Sequence, residues 1–294
     1  MEIWIVFTLL AVLMQSVRTA SQKQIAQSIS IPMTTLVRFL FGLPFAALYF
    51  YFLKNYYSLD VITPQWVFYR SASLAAISQI IATVCLVKAL TIQNFAVGTA
   101  LAKTEAILTA IIGSWFFSAA LSLQGYLAVF VGVVGVLVAS NWKVSIRDLT
   151  ENESIKFGLG AGFGFALASL WLRDASLSLE LPRIMSAATV LLFMVAIQTV
   201  VCVVWIIKFE REQLRLLTGK LTHCVFIGIT GVAGSVGWFT AMSLQNAAVV
   251  KTLGQVEFVI TLLITYLYFG EKITHREYGG IALVAVSIFL LLYA

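Results

Sequence analysis

The chain has 294 residues, 61% of them hydrophobic and 11% charged, with a mean hydropathy of +0.97. A soluble domain carries about one quarter charged residues, so this composition excludes a water-facing shell and makes lipid the expected solvent and partner. The net charge of +6 would suit nucleic acid in a soluble protein, but the bases sit in short connections between apolar runs, where they act as topology signals, and no nucleic acid is expected.

The apolar runs are close to the roughly 20 residues that cross about 30 Å of hydrocarbon. In chain order the expected spans are Ile3 to Ala20, Ile31 to Phe52, Ser71 to Leu90, Phe95 to Phe117 and Leu123 to Ser140, then Ile155 to Asp174, Ser186 to Ile207, Leu221 to Leu244, Ala247 to Phe269 and Glu277 to Leu292. Ile3 to Met14 lacks a basic segment before it, Glu2 standing there instead, so it reads as a retained span and not a signal peptide. Cys85, Cys202 and Cys224 lie singly in apolar runs, as small core residues do, without disulfide or zinc spacing.

The chain repeats itself. A shift of 152 residues lays Ala89 on Ala241, Gln93 on Gln245, Asn94 on Asn246, Leu101 on Leu253, Glu105 on Glu257, Thr109 on Thr261, Phe117 on Phe269 and Tyr126 on Tyr278. A shift of 155 lays Arg18-Thr19-Ala20-Ser21 on Arg173-Asp174-Ala175-Ser176. The organisation is therefore a first unit at 1–140, a connection at 141–154 and a second unit at 155–294. Five spans per unit reverse the side of entry, so the copies are expected to be inverted: an all-α polytopic membrane protein of about ten helices, with a site near the midplane where the repeats meet.

Ionisable groups at membrane depth cost roughly 2.5 to 3.5 kcal/mol each on insertion scales, so each asks for a partner or a purpose. Glu105 and Glu257 fall at matching depth in the two copies; a carboxylate there can exchange a proton, hold a cationic group, or serve as a hydrogen-bonded structural group. Lys103 stands at i−2 from Glu105, and such residues point apart on a helix, so its partner lies on another helix or in water. Lys251 is nearer a helix end, where it can snorkel. Arg38 lies between Pro32 and Pro44 and either binds an anionic group in bidentate fashion or serves as counter-ion to a buried Glu. Arg18 and Arg173 read as snorkelling anchors. Gln79, Gln198, Gln255, Trp115 and Trp238 are candidates for a polar and aromatic pocket wall, although Trp also favours membrane interfaces.

FGLGAGFGF, with Gly158, Gly160, Gly162 and Gly164, lacks dinucleotide-loop spacing and reads as a smooth face for close helix contact, as do Gly228, Gly231, Gly234 and Gly237. His223 and His275 are the only histidines, and no HExxH, GxSxG or P-loop motif occurs. No catalytic residue, metal or cofactor is expected. A carrier of a small molecule is the leading reading; an integral-membrane enzyme or a passive channel is the alternative.

The aligned segments LAKTEAILTAIIGSWFFSA and LGQVEFVITLLITYLYFGEKIT resemble the repeat ends of EamA-type carriers of the drug/metabolite transporter superfamily. In that family an acidic start, an apolar helix and a Gly-Glu-Lys stop are usual, matched here by Glu105, Glu257 and Gly270-Glu271-Lys272. The proline usual after each Glu is replaced by Ala106 and Phe258, which removes the ordinary reason for a kink there. The first copy has Ser118-Ala119-Ala120 at the stop. The resemblance implies secondary active transport of a metabolite or drug-like molecule, as exporter or exchanger, with a proton as the optional coupling ion. A bacterial inner membrane and a monomer or weak homodimer are the matching expectations. It also implies cytoplasmic termini, whereas the positive-inside rule implies the reverse. On the side of the termini lie Lys54, Arg70, Arg173 and Arg183, against Lys23, Lys143, Arg147, Lys156, Lys208, Arg211, Arg215, Lys220, Lys272 and Arg276 on the other.

Overall fold

A computed structural model describes residues 2–59, 62–92, 101–139, 153–260, 262 and 274–293. Every regular element among them is helical: α1 (Ile3–Ile25), α2 (Ile31–Leu40), α3 (Leu43–Tyr56), α4 (Trp66–Ile92), α5 (Glu105–Phe116), α6 (Leu123–Ala139), α7 (Glu153–Leu177), α8 (Arg183–Phe209), a 3₁₀ segment (Arg211–Lys220), α9 (Leu221–Leu244), α10 (Ala247–Leu253) and α11 (His275–Leu292). Among the described residues, seven helical stretches are long and apolar enough to cross a membrane, and α5 and α6 are shorter apolar helices. The repeat partners Gln93 and Asn94, the Gly270-Glu271-Lys272 stop and most of the expected connection lie outside the described residues.

The expected span Ile31 to Phe52 is two helices. Ser30 caps α2, accepting from the Met33 amide at 3.2 Å. Pro44 in the first turn of α3 has no N–H to continue an earlier helix, so the chain breaks at Phe41-Gly42. Into that break α9 presses: a β-carbon on Gly228 would lie 2.5 Å from the Phe41 carbonyl carbon. Thr274 and Glu277 form a reciprocal capping box at the start of α11, two residues before the expected boundary.

Packing follows the repeat. The closest pairings are α1 with α9, α4 with α7 and α6 with α11, and α5 meets α10 while α2 and α3 meet α8. Exchanging each helix for its counterpart in the other copy turns the α1–α9 contact into the α7–α4 contact and returns the α6–α11 contact and those of α2 and α3 with α8 onto themselves. The arrangement is therefore two-fold in its contacts. Small residues allow it, since Gly237 would clash with the Phe7 carbonyl and Ala11 if it carried a β-carbon, and Gly164 would meet Ala82 at 2.9 Å. The expected smooth glycine faces are thus seated on α1, α2 and α4. Meanwhile Leu48, Phe52, Trp115, Phe130, Val200, Val204 and Phe289 lie exposed around the outside. So large an apolar girdle is stable only against lipid. Trp115, at 79% exposure, belongs to that girdle and not to an internal wall.

Candidate substrate and coupling site

Both acidic residues of the repeat stand at helix breaks. The chain is helical at 101–102, turns at 103–104, and starts α5 at Glu105; in the second copy α10 ends at Leu253, the chain turns at 254–255, and helix resumes at 256–260. Each break is a tightened turn of i to i−3 bonds: Ala106 N to Lys103 O (3.3 Å), Glu257 N to Gly254 O (3.1 Å) and Phe258 N to Gln255 O (2.9 Å). No proline makes them. Local packing supplies the room instead: Gly162 leaves space for the Thr104 hydroxyl, and Gly254 leaves space for the Trp238 ring. Each Glu then sits at the amide-bearing end of the helix that follows, where the backbone dipole favours negative charge.

The breaks face each other, and their charges cross between repeats. Lys103 bonds Glu257, and Lys251 bonds Glu105 at 3.1 Å. All four residues are buried, between 6 and 7% exposed. Lys251 therefore does not snorkel, because its ammonium is held by Glu105 and lies 4.4 Å from the centre of the Trp238 ring. Gln15 of α1 joins the network through both ends of its amide. Its Nε2 donates to Glu257 (2.8 Å) and its Oε1 accepts from Trp238 Nε1 (2.8 Å).

Two narrow cavities meet here. The first, of about 30 Å³, is lined by Lys103, Glu105, Lys251, Glu257, Gln15 and Thr19; the second, of about 20 Å³, by Arg18, Arg38, Gln79, Ser169, Ser235 and Trp238 among others. Gln15, Phe165 and Lys251 line both and form the partition between them. Volumes of this size suit one or two waters each.

Of the residues expected at the site, Glu105, Glu257, Lys103, Trp238, Arg38 and Gln79 come together on these two cavities. Gln255 does not. It is fully buried against Gly132 of α6, its amide without a partner among the described residues. Arg38 is not in contact with either Glu; it donates to Thr83 Oγ1 (3.0 Å) and lies over the Phe39 ring. Gln198 donates to Gln79 Oε1 at 2.7 Å and so fixes that side chain.

The two anchoring arginines behave otherwise than expected. Arg18 is 2% exposed and points into the second cavity, where the surrounding helices block any path to the interface. Arg173 donates to the carbonyls of Met242 and Gln245 and caps the end of α9. Gln15 and Phe165 were not singled out from sequence, although a Gln midway along the first apolar run is a legible sign of an internal polar face.

The sequence profile of the EamA-like transporter family matches residues 2–141 and again 153–293. The chain belongs to the EamA-like transporter family. The crossed ion pairs thus lie between the two EamA repeats, one charge of each pair from either copy. A solved structure described only as the crystal structure of a protein superposes with a TM-score of 0.69, covering 99% of this EamA chain and 97% of the other at 12% identity, a likeness of fold. Comparison with curated proteins finds no significant match.

Proposed function

We propose that this multi-pass membrane protein is a secondary active carrier. Two five-helix units cross a bacterial inner membrane in opposite senses, ten spans in all, and a small metabolite or drug-like molecule passes between them by alternating access, as export or exchange. The observation that carries the reading is the reciprocal pairing of Lys103 with Glu257 and Lys251 with Glu105 at two broken helices. Broken helices that present polar groups at the interface of inverted repeats are a recurring way to bind a solute at the midplane.

The quartet balances its own charge when closed. A proton on one carboxylate, or a solute group that displaces it, releases the lysine opposite and loosens the tie between copies. Since each tie spans the two units, its release is coupled to their relative movement and opens the cavity to one side of the membrane.

The test is solute counterflow in proteoliposomes, comparing wild type with Glu105→Gln and Glu257→Gln. Saturable flux lost in both variants supports the carrier. Wild-type flux in both removes the carboxylates from the mechanism; chemical conversion of a solute, or unsaturable ion current, replaces the carrier with an enzyme or a channel.

A further inference from the structure

Two arginines, Arg18 and Arg38, line the second cavity. A β-carbon built on Gly231 would lie 3.3 Å from Arg38 Cγ and 3.6 Å from Arg18 Cδ, so the two stems run together over the same spot on α9. Both residues are buried, at 2% and 5% exposure. Gly231 leaves that spot on α9 open to both stems.

Among the described residues neither guanidinium has a carboxylate in ion-pair contact. The acids lining the two cavities are Glu105 and Glu257, and each is already held, by Lys251 and by Lys103 with Gln15. Arg18 Nε is fully buried and has no hydrogen-bond partner among the described residues. Arg38 is anchored through one nitrogen to Thr83, which leaves the rest of its fork to the cavity. Arginine presents up to five donors in a planar fork that fits two oxygens at once, and a buried surplus of positive charge is unfavourable until an anion joins it.

We infer that the solute is an organic anion whose carboxylate or phosphate group is held between Arg18 and Arg38. Ser169, Ser235 and Gln79 are placed to receive polar atoms beside that group, and Trp238 supplies an apolar wall. Since Phe165 and Lys251 separate this cavity from the ion-pair quartet, an anion large enough to push them aside joins the two spaces. Its arrival draws Lys251 away from Glu105. The inference deepens the carrier reading and rests on it for the coupling, but anion binding itself is separable from transport.

The experiment is a thermal-shift titration of the full chain in phosphatidylcholine nanodiscs, which hold no anionic lipid. Four ligand series are compared: carboxylates (acetate, succinate, benzoate), phosphates (inorganic phosphate, glycerol phosphate), a neutral series (glycerol, glucose) and a cationic one (choline, spermidine). A saturable shift confined to one or both anionic series is expected, and which one responds distinguishes carboxylate from phosphate. Arg18→Gln and Arg38→Gln should weaken it at least tenfold, and Arg18→Lys and Arg38→Lys, which keep the charge but lose the fork, should fall between. Any variant that elutes as a single species from size exclusion is scored. Response only to neutral or cationic ligands, no response to any anion, or wild-type anion affinity in both Gln variants overturns the inference. Anion binding without counterflow would leave the site standing and remove the carrier reading; counterflow of a cation or neutral solute would do the opposite.

Discussion

Lys103 of the first repeat bonds Glu257 of the second across the middle of the bundle, 154 positions away in the chain. Removing one member of such a pair leaves the other charge buried without its ion partner, an effect of about 3 to 5 kcal/mol. Lys103→Met should therefore destabilise the folded protein strongly, and Glu257→Gln likewise. The double variant Lys103→Met/Glu257→Gln should be more stable than either single one, because no charge is then stranded. Denaturation midpoints of the four proteins in one detergent give the coupling directly, and additive losses would show that the pair is not a unit.

Gln15 offers a sharper test because both ends of its amide are committed. Its nitrogen donates to Glu257 and its oxygen accepts from Trp238. Gln15→Glu keeps the shape and the acceptor for Trp238 but sets a second carboxylate against Glu257, where like charges disfavour each other. Gln15→Leu merely leaves two partners unbonded. The Glu variant should have the lower melting point at neutral pH, and the reverse order would mean that residue 15 does not contact Glu257.

How much of this was legible depends on which interaction decided each feature. The seven long apolar helices among the described residues were legible from apolar length, since burial in lipid needs no partner; Leu221–Leu244 matches its expected bounds, and α8 extends only a few residues past them. The break within 31–52 was written in Pro44, whose effect on the residues before it is local. The breaks at 103–104 and 254–255 were not, because they arise where Gly162 and Gly254 admit a side chain from a distant helix. Glu105 and Glu257 stood out by their repeat, and Lys103 by its need for a partner on another helix. Lys251 and Arg18 were misread as snorkelling anchors since distance from a helix end along the chain says nothing of which neighbours enclose a side chain.

The meeting of α1 and α9 makes a packing prediction that can be separated from charge. A β-carbon on Gly237 would meet the Phe7 carbonyl oxygen at 2.5 Å and Ala11 Cβ at 2.8 Å, both on a helix that cannot yield locally. Gly237→Ala should thus force the helices apart and lower stability by about 1 to 3 kcal/mol. Gly219, with nothing within 4 Å of its added β-carbon, is the control: Gly219→Ala should leave the melting point within a degree or two of wild type. An equal effect at both positions would mean that the drop at Gly237 has nothing to do with the α1–α9 contact.

Arg173 separates the structural from the transport role of a charged residue. It binds the carbonyls of Met242 and Gln245 at the end of α9 and does not line either cavity. Hydrogen bonds to a charged donor contribute about 1.5 to 3 kcal/mol, so Arg173→Leu should lower the denaturation midpoint visibly. Arg173→Lys, able to reach one carbonyl but not to bridge two with a fork, should lie between. Because α9 carries Trp238 as well as the glycines that seat α1 and α2, its last turn can fray without moving the quartet. Flux per folded molecule should then stay near wild type in both variants, in contrast to Glu105→Gln and Glu257→Gln. If Arg173→Leu instead abolished flux while leaving the midpoint unchanged, the capping role would be wrong, and Arg173 would have to be placed on the path of the solute.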